Sequence, residues 1–171
     1  MRGKIFKIGR LQYEIMEYHF QQATVGGVEL NSGDTVLNVH IPASGESFDK
    51  AARYDSYSKA YHFFRNVMHI VPKMYVCSSW LLFPDNAKIL SPKSNTVSFM
   101  GDFNIFYSYN YQNPYNVLRF IFGGMEDVPY EELPRDSSLR RAYVDWLLAG
   151  NSVGFGRGAF IWDEENKTVR K

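Results

Sequence analysis

The chain has 171 residues, of which 45% are hydrophobic, 16% aromatic and 22% charged, a composition that excludes a disordered or collagen-like polymer and suits one domain with a sheet-rich core. Its 19 Lys and Arg nearly cancel 18 Asp and Glu, leaving a formal charge of +1, so no strong field recruits nucleic acid or an anionic membrane surface. The one cysteine, Cys77, has no partner for an internal disulfide or a zinc cluster, which predicts a reducing, cytoplasmic setting without a structural metal.

The N-terminus starts with charge at Arg2 and Lys4 and continues with mixed polar and apolar residues, unlike the unbroken apolar run of a signal peptide. The longest apolar stretch, Trp80 to Phe83, is too short to span a bilayer. Residues 4–18 read as a strand or hairpin arm, because Leu11, Tyr13 and Ile15 alternate with Gln12, Glu14 and Met16; Gly9 marks a candidate bulge. Turn residues at Gly26-Gly27 and Asn31 to Asp34 flank a short strand at 27–30. Thr35 to Ile41 is the clearest strand, with Leu37, Val39 and Ile41 on one face and Val36, Asn38 and His40 on the other.

Pro42 ends that strand, and a helix is predicted from about Phe48 to Met68, with Tyr57, Tyr61, Phe64 and Val67/Met68 at helical spacing. Ser47 is its expected N-cap and Asp49 suits its first turn. A buried strand at 73–78 leads into a helical segment at 80–90, and a long strand follows at 96–107. The turn-rich stretch 108–116 joins it to a partner strand at 117–122, making an antiparallel hairpin. Within that hairpin Arg119 is expected to pair with Asp102. A helix at 138–149, stopped by Gly150, and a strand at 158–162 complete the chain, with Gly154, Gly156 and Gly158 read as bulges or a bend before that strand.

Five short patterns in this order carry a resemblance. They are Leu37-Asn38-Val39-His40-Ile41-Pro42, Cys77-Ser78-Ser79-Trp80-Leu81-Leu82, Ser94-Asn95-Thr96, Leu118-Arg119-Phe120-Ile121-Phe122 and Ser138-Leu139. The chain resembles the GNAT-like C-terminal domain of bacterial N-acyltransferases over nearly its whole length, without the N-terminal domain that precedes it in that family. The resemblance implies an α+β fold with a mixed, mostly antiparallel sheet flanked by helices. It also implies acetyl-CoA or another acyl-CoA as cosubstrate, an acyl group (acetyl by family habit) passed to a small-molecule amine or peptide acceptor, and a separate N-terminal domain as partner.

In such a fold the strand at 35–41 splays from the one at 73–78, and the pantetheine arm lies between them. The loop after the first strand leads to a helix N-terminus, whose unpaired N–H groups suit a diphosphate. Ile41, Ala43, Ser44, Gly45 and Ser47 are therefore the expected cofactor-binding residues. His40 is the expected base, and Cys77, Ser78 and Ser79, at the end of the second cleft strand, are the expected donors to the departing thiolate or to substrate.

The helical segment at 80–90 has no tyrosine to act as acid, which leaves Tyr107, Tyr109 and Tyr111 as substitutes that also read as a packed sheet face. Two competing readings stand beside acyl transfer. One is a non-catalytic binding or assembly module on the same fold, and the other is a hydrolase using Cys77 or Ser79 with His40.

Overall fold

Alternating apolar residues and glycine-marked turns fold the described residues into a seven-stranded sheet with strands in the order 5–8, 11–17, 35–40, 75–79, 154–163 and 104–110, and 168–170 also paired to 154–163. The computed structural model describes residues 4–124 and 128–171. The strands are β1 (Ile5–Ile8), β2 (Leu11–Glu17), β5 (Thr35–His40), β6 (Tyr75–Ser79), β7 (Asn104–Asn110), β8 (Gly154–Asp163) and β9 (Thr168–Arg170), and β3 (Ala23–Val25) and β4 (Val28–Leu30) form a separate hairpin. All sheet pairings are antiparallel except β5 with β6. The expected mixed, mostly antiparallel sheet is the one found.

Gly9 is the first residue of the two-residue β1–β2 turn, where its φ of 60° needs glycine, so it makes a hairpin and not a bulge. One face of the sheet presents Leu11, Tyr13, Leu37, Val39, Tyr75, Cys77 and Phe160 to Tyr57, Ala60 and Phe64 of helix α1 (Lys50–His62) and the π-helical turn that extends it (Phe63–Val67). Phe64 is fully buried there, which stabilises the fold by roughly 1.5–3 kcal/mol relative to leaving it in water. The opposite face packs Val36, Val76 and Ala159 beneath Val25 and Leu30 of the small hairpin.

The α1 N-cap is Asp49, whose carboxylate accepts the Ala52 N–H at 2.8 Å; Ser47 instead donates its hydroxyl to Asp49 at 2.6 Å. Asp is as good a cap as Ser, and the helix starts two residues later than the apolar spacing predicts. Nearly two turns into α1, the buried Ser56 hydroxyl donates to the Ile8 carbonyl at 2.5 Å and lies 2.8 Å from the Tyr13 hydroxyl. This clasps the first hairpin to α1.

Four further expectations are corrected. The segment 80–90 is a 3-10 turn (Trp80–Leu82) and a short helix α2 (Asn86–Ile89), interrupted at Pro84, not one helix. The long strand at 96–107 begins as helix α3 (Asn95–Met100), capped by the Ser94 side chain, and only then becomes β7. Residues 117–122 are not a strand but the body of helix α4 (Tyr115–Phe122), which buries Val117, Leu118, Ile121 and Phe122 and ends at Gly123 with φ 77°. Those positions fit a helix stripe, and β7 pairs with β8 instead.

The fourth correction concerns the glycines, which lie inside β8. An added Cβ would stand 2.0 Å from the Leu82 carbonyl oxygen at Gly156 and 2.5 Å from the Tyr109 carbonyl oxygen at Gly154. Close backbone approach requires glycine there. The terminal helix α5 (Ser138–Leu148) packs Tyr143, Val144 and Leu147 against α4 in a second core.

Candidate functional site

The β5–β6 ladder is short. Lys73 N–H donates to the Thr35 carbonyl at 2.8 Å and Leu37 N–H to the Met74 carbonyl at 3.0 Å, and registered pairing stops at Asn38 opposite Val76. Past that point the alternation of a parallel ladder aims the Val39 carbonyl on β5 and the Ser78 N–H on β6 into a widening gap. Two strands that part in this way expose backbone donors and acceptors to a ligand without exposing the sheet's edge.

A cavity of about 490 Å³ fills the gap, within the range of small-molecule sites. Val39, His40 and Ile41 form one wall, with Gln12 from the neighbouring strand β2; Ser78, Ser79, Trp80 and Leu81 form the other. Tyr111, Asn116, Arg119, Phe120 and Phe155 close the far side. The lining is thus mixed, with aromatic and aliphatic side chains facing about as many polar ones.

Four of the residues expected from sequence meet here: His40, Ile41, Ser78 and Ser79. His40 Nε2 lies 3.1 Å from Glu14 Oε2 and 3.2 Å from Asn38 Nδ2. The Ser78 hydroxyl accepts a hydrogen bond from Arg157 Nε at 2.9 Å. Ser79 accepts the Leu81 N–H at 3.1 Å and so turns the chain out of β6 into the 3-10 turn that carries Trp80.

The remaining expected residues lie elsewhere. Cys77 points to the opposite face, is 1% exposed, and burial pushes its thiol up to about 12. Ala43, Ser44, Gly45 and Ser47 form an exposed loop that does not line the cavity. Its hydroxyls are engaged: Ser44 donates to Glu46 at 3.3 Å and Ser47 to Asp49. An Asp49 carboxylate thus already serves the first turn of α1, and its proton affinity is lowered chiefly by the Ser47 hydroxyl and next by the Ala52 N–H.

Sequence reasoning missed Gln12, Trp80, Asn116, Arg119, Phe120 and Phe155 as wall residues. Arg119 was expected against Asp102, but Asp102 is taken by Arg53, and Arg119 stacks over Phe120 at 4.7 Å with no carboxylate pair among the described residues. The helix signals that would have found it are Pro114 before α4 and Gly123 after it. Of the three candidate tyrosines, only Tyr111 lines the cavity; desolvation, then the neighbouring Tyr109 phenol, raises it to about 12. Tyr107 and Tyr109 are 42% and 41% exposed on the edge strand β7.

Among the described residues no cysteine or serine is hydrogen-bonded to a histidine, and no group of three or more His, Cys, Asp or Glu side chains is placed to hold a metal ion. No described helix is long and apolar enough to cross a membrane.

A family model described as the GNAT-like C-terminal domain matches residues 5–160. Among solved structures, the chain is similar to an acyltransferase in complex with decanoyl-CoA, at 29% identity and a TM-score of 0.73, over 91% of this chain and 45% of the other. It is similar to an acyltransferase in complex with decanoyl-CoA and teicoplanin, at 26% identity and a TM-score of 0.75, over 91% and 46% of the two chains. A third, in complex with CoA and 10C-teicoplanin, matches at 25% identity and a TM-score of 0.71, over 91% of this chain and 46% of that one. The chain therefore spans somewhat less than half the length of these acyltransferases. No curated protein matches it.

Proposed function

Because the chain belongs to the GNAT-like C-terminal domain family, whose model covers residues 5–160, we propose that its 171 residues form a single cytoplasmic acyl-transfer domain moving an acyl group from acyl-CoA to an amine on a small molecule or peptide. The observation that carries this reading is the cavity opened where β5 and β6 part, with His40 on one wall and Ser78 on the other. A separate N-terminal domain is the partner that would complete it, in keeping with the length of the similar acyltransferases.

The amine nitrogen attacks the thioester carbonyl carbon and passes its proton to His40. The Ser78 N–H, free of the ladder, donates to the carbonyl oxygen as it gains charge. The C–N bond then forms fully, the C–S bond breaks, and the CoA thiolate takes a proton from Tyr111 or from water. Positioning between the two walls supplies much of the rate.

Arg119 offers the cavity's cation to the diphosphate, with Ile41 and the loop of Ala43, Ser44, Gly45 and Ser47 alongside. Val39, Ile41, Trp80, Leu81, Phe120 and Phe155 suit an acyl chain longer than acetyl, a reading supported by the decanoyl-CoA held by similar acyltransferases.

Mass spectrometry tests this with acetyl-, octanoyl- or decanoyl-CoA and a panel of amines. The expected result is an acylated amine and free CoA, faster with octanoyl or decanoyl than with acetyl. Absence of both product and calorimetric binding for every acyl-CoA would overturn it. A non-catalytic binding module is the second reading, favoured by the Ser78 and Ser79 hydroxyls being held by Arg157 and the Leu81 N–H and by Cys77 being buried away from the cavity. Acyl-CoA binding with no product from any amine would favour it.

A further inference from the structure

The imidazole that the acyl-transfer reading uses as base is held from behind by a carboxylate on a different strand. In the β2–β5 register, Glu14 stands opposite Asn38 and Gln12 opposite His40, so Glu14, Asn38 and His40 share one face. Glu14 Oε2 lies 3.1 Å from His40 Nε2 and receives Asn38 Nδ2 at 3.4 Å. The side chains of His40 and Glu14 are 37% and 26% exposed, and of the two only His40 lines the cavity, with Glu14 behind it.

We propose that Glu14 is a positioning residue that keeps the His40 proton on Nε2 and leaves the Nδ1 lone pair to receive the proton of the incoming amine. The hydrogen-bond inventory supports this tautomer. A carboxylate only accepts, so a bare Nε2 would set lone pair against lone pair at 3.1 Å. With Nε2 protonated, imidazole and amide both donate to the same oxygen. The 3.2 Å separation of Asn38 Nδ2 from Nε2 is then the spacing of two donors around a shared acceptor. A neutral imidazole protonated on one nitrogen is a base only at the other, so Glu14 decides which nitrogen can accept a proton.

The same geometry says what happens without the carboxylate. Asn38 Nδ2 becomes the nearest hydrogen-bond partner of Nε2 and donates to it, driving the proton to Nδ1 and blocking the base. In Glu14→Gln an amide oxygen remains to accept from Nε2–H, so the wild-type tautomer is partly kept.

The catalytic consequence rests on the acyl-transfer reading; the tautomer does not. Long-range 1H–15N correlation spectra of the 171-residue chain, labelled at histidine and assigned with His40→Gln, read it directly at neutral pH. Expected are Nε2–H with bare Nδ1 in the wild type, the reverse in Glu14→Ala, and a mixture in Glu14→Gln, each variant checked for an intact amide fingerprint. Turnover should fall roughly tenfold to a hundredfold in Glu14→Ala, less in Glu14→Gln, with KM for acyl-CoA unchanged. A bare Nε2 in the wild type, or an unchanged tautomer in Glu14→Ala, overturns the proposal. The expected tautomers in a chain that neither binds any acyl-CoA nor acylates any amine would support the Glu14 assignment and overturn acyl transfer.

Discussion

Arg53 Nε donates to Asp102 Oδ2 at 2.8 Å with both side chains buried, and the Tyr57 hydroxyl donates to the same oxygen at 3.0 Å. The guanidinium is completed by the Phe48 carbonyl and the Ser98 hydroxyl, both at 2.9 Å. This network pins the start of α1 to the junction of α3 and β7. A buried ion pair is costly to form and costlier to break on one side. Arg53→Met leaves Asp102 enclosed without its cation and should lose about 3–5 kcal/mol of unfolding free energy, read from the denaturant midpoint. The double variant Arg53→Met/Asp102→Leu should lose clearly less than the sum of the single changes, because neither charge is then stranded.

The Cys77 thiol makes stability fall at alkaline pH. Its folded value, pushed up to about 12 by burial, exceeds the ordinary thiol value of 9.0, so between those limits the unfolded chain sheds the proton first and binds fewer protons than the folded one. Stability from this group is intact below about pH 9 and declines by about 1.4 kcal/mol per pH unit above it. Tyr13, Tyr57, Tyr75 and Tyr143, all raised chiefly by desolvation, add to the slope above pH 10. Cys77→Ala should flatten the decline between pH 9 and 10, measured by denaturant titration at each pH. A thiol reagent at pH 8 should label the native chain at the rate of unfolding.

Strand β5 was legible because Leu37 and Val39 alternate with Asn38 and His40, and a period of two in a six-residue run is unambiguous. The parting of β5 from β6 was legible only through resemblance, since nothing in local pattern says where a ladder stops. Residues 117–122 misled because a six-residue apolar run fits a buried strand and a short helix equally well. That error hid Arg119, which was matched to Asp102 across an imagined hairpin. Arg53, polar on an amphipathic helix, carried no mark of being the true partner of Asp102. Tyr111 and Phe155 reach one cavity from segments more than forty residues apart, a meeting set by β7–β8 pairing and invisible to local pattern.

Arg119 is the cavity's cation without a carboxylate partner among the described residues, and its neighbour Phe120 is 60% exposed beside it. A guanidinium so placed meets an anionic cosubstrate through charge-assisted hydrogen bonds. Arg119→Gln should raise the calorimetric Kd for acyl-CoA about tenfold, from the loss of a charged hydrogen bond of roughly 1.5 kcal/mol. The wild-type Kd should rise with added salt more steeply than that of the variant. Unfolding should be little changed, because Arg119 lies on the exposed side of α4.

Gly156 sets the floor against which the cavity's second wall is built. It pairs with Ser79 in the β6–β8 ladder, and the 3-10 turn that carries Trp80 and Leu81 lies directly on it. In Gly156→Ala the new Cβ would stand 2.0 Å from the Leu82 carbonyl oxygen and 2.5 Å from its carbon, and backbone cannot rotate away as a side chain can. Either β8 withdraws from the turn or the turn lifts off, and both displace Ser79 and Trp80. The variant should lose about 2–3 kcal/mol of stability, in the range of overpacked cores, and bind acyl-CoA more weakly even where it remains folded. Gly45→Ala is the matched control for stability: its Cβ meets nothing within 4 Å and its φ lies outside the left-handed region, so the denaturant midpoint should stay at the wild-type value. Equal effects of the two substitutions would show that the turn does not rest on β8 in solution.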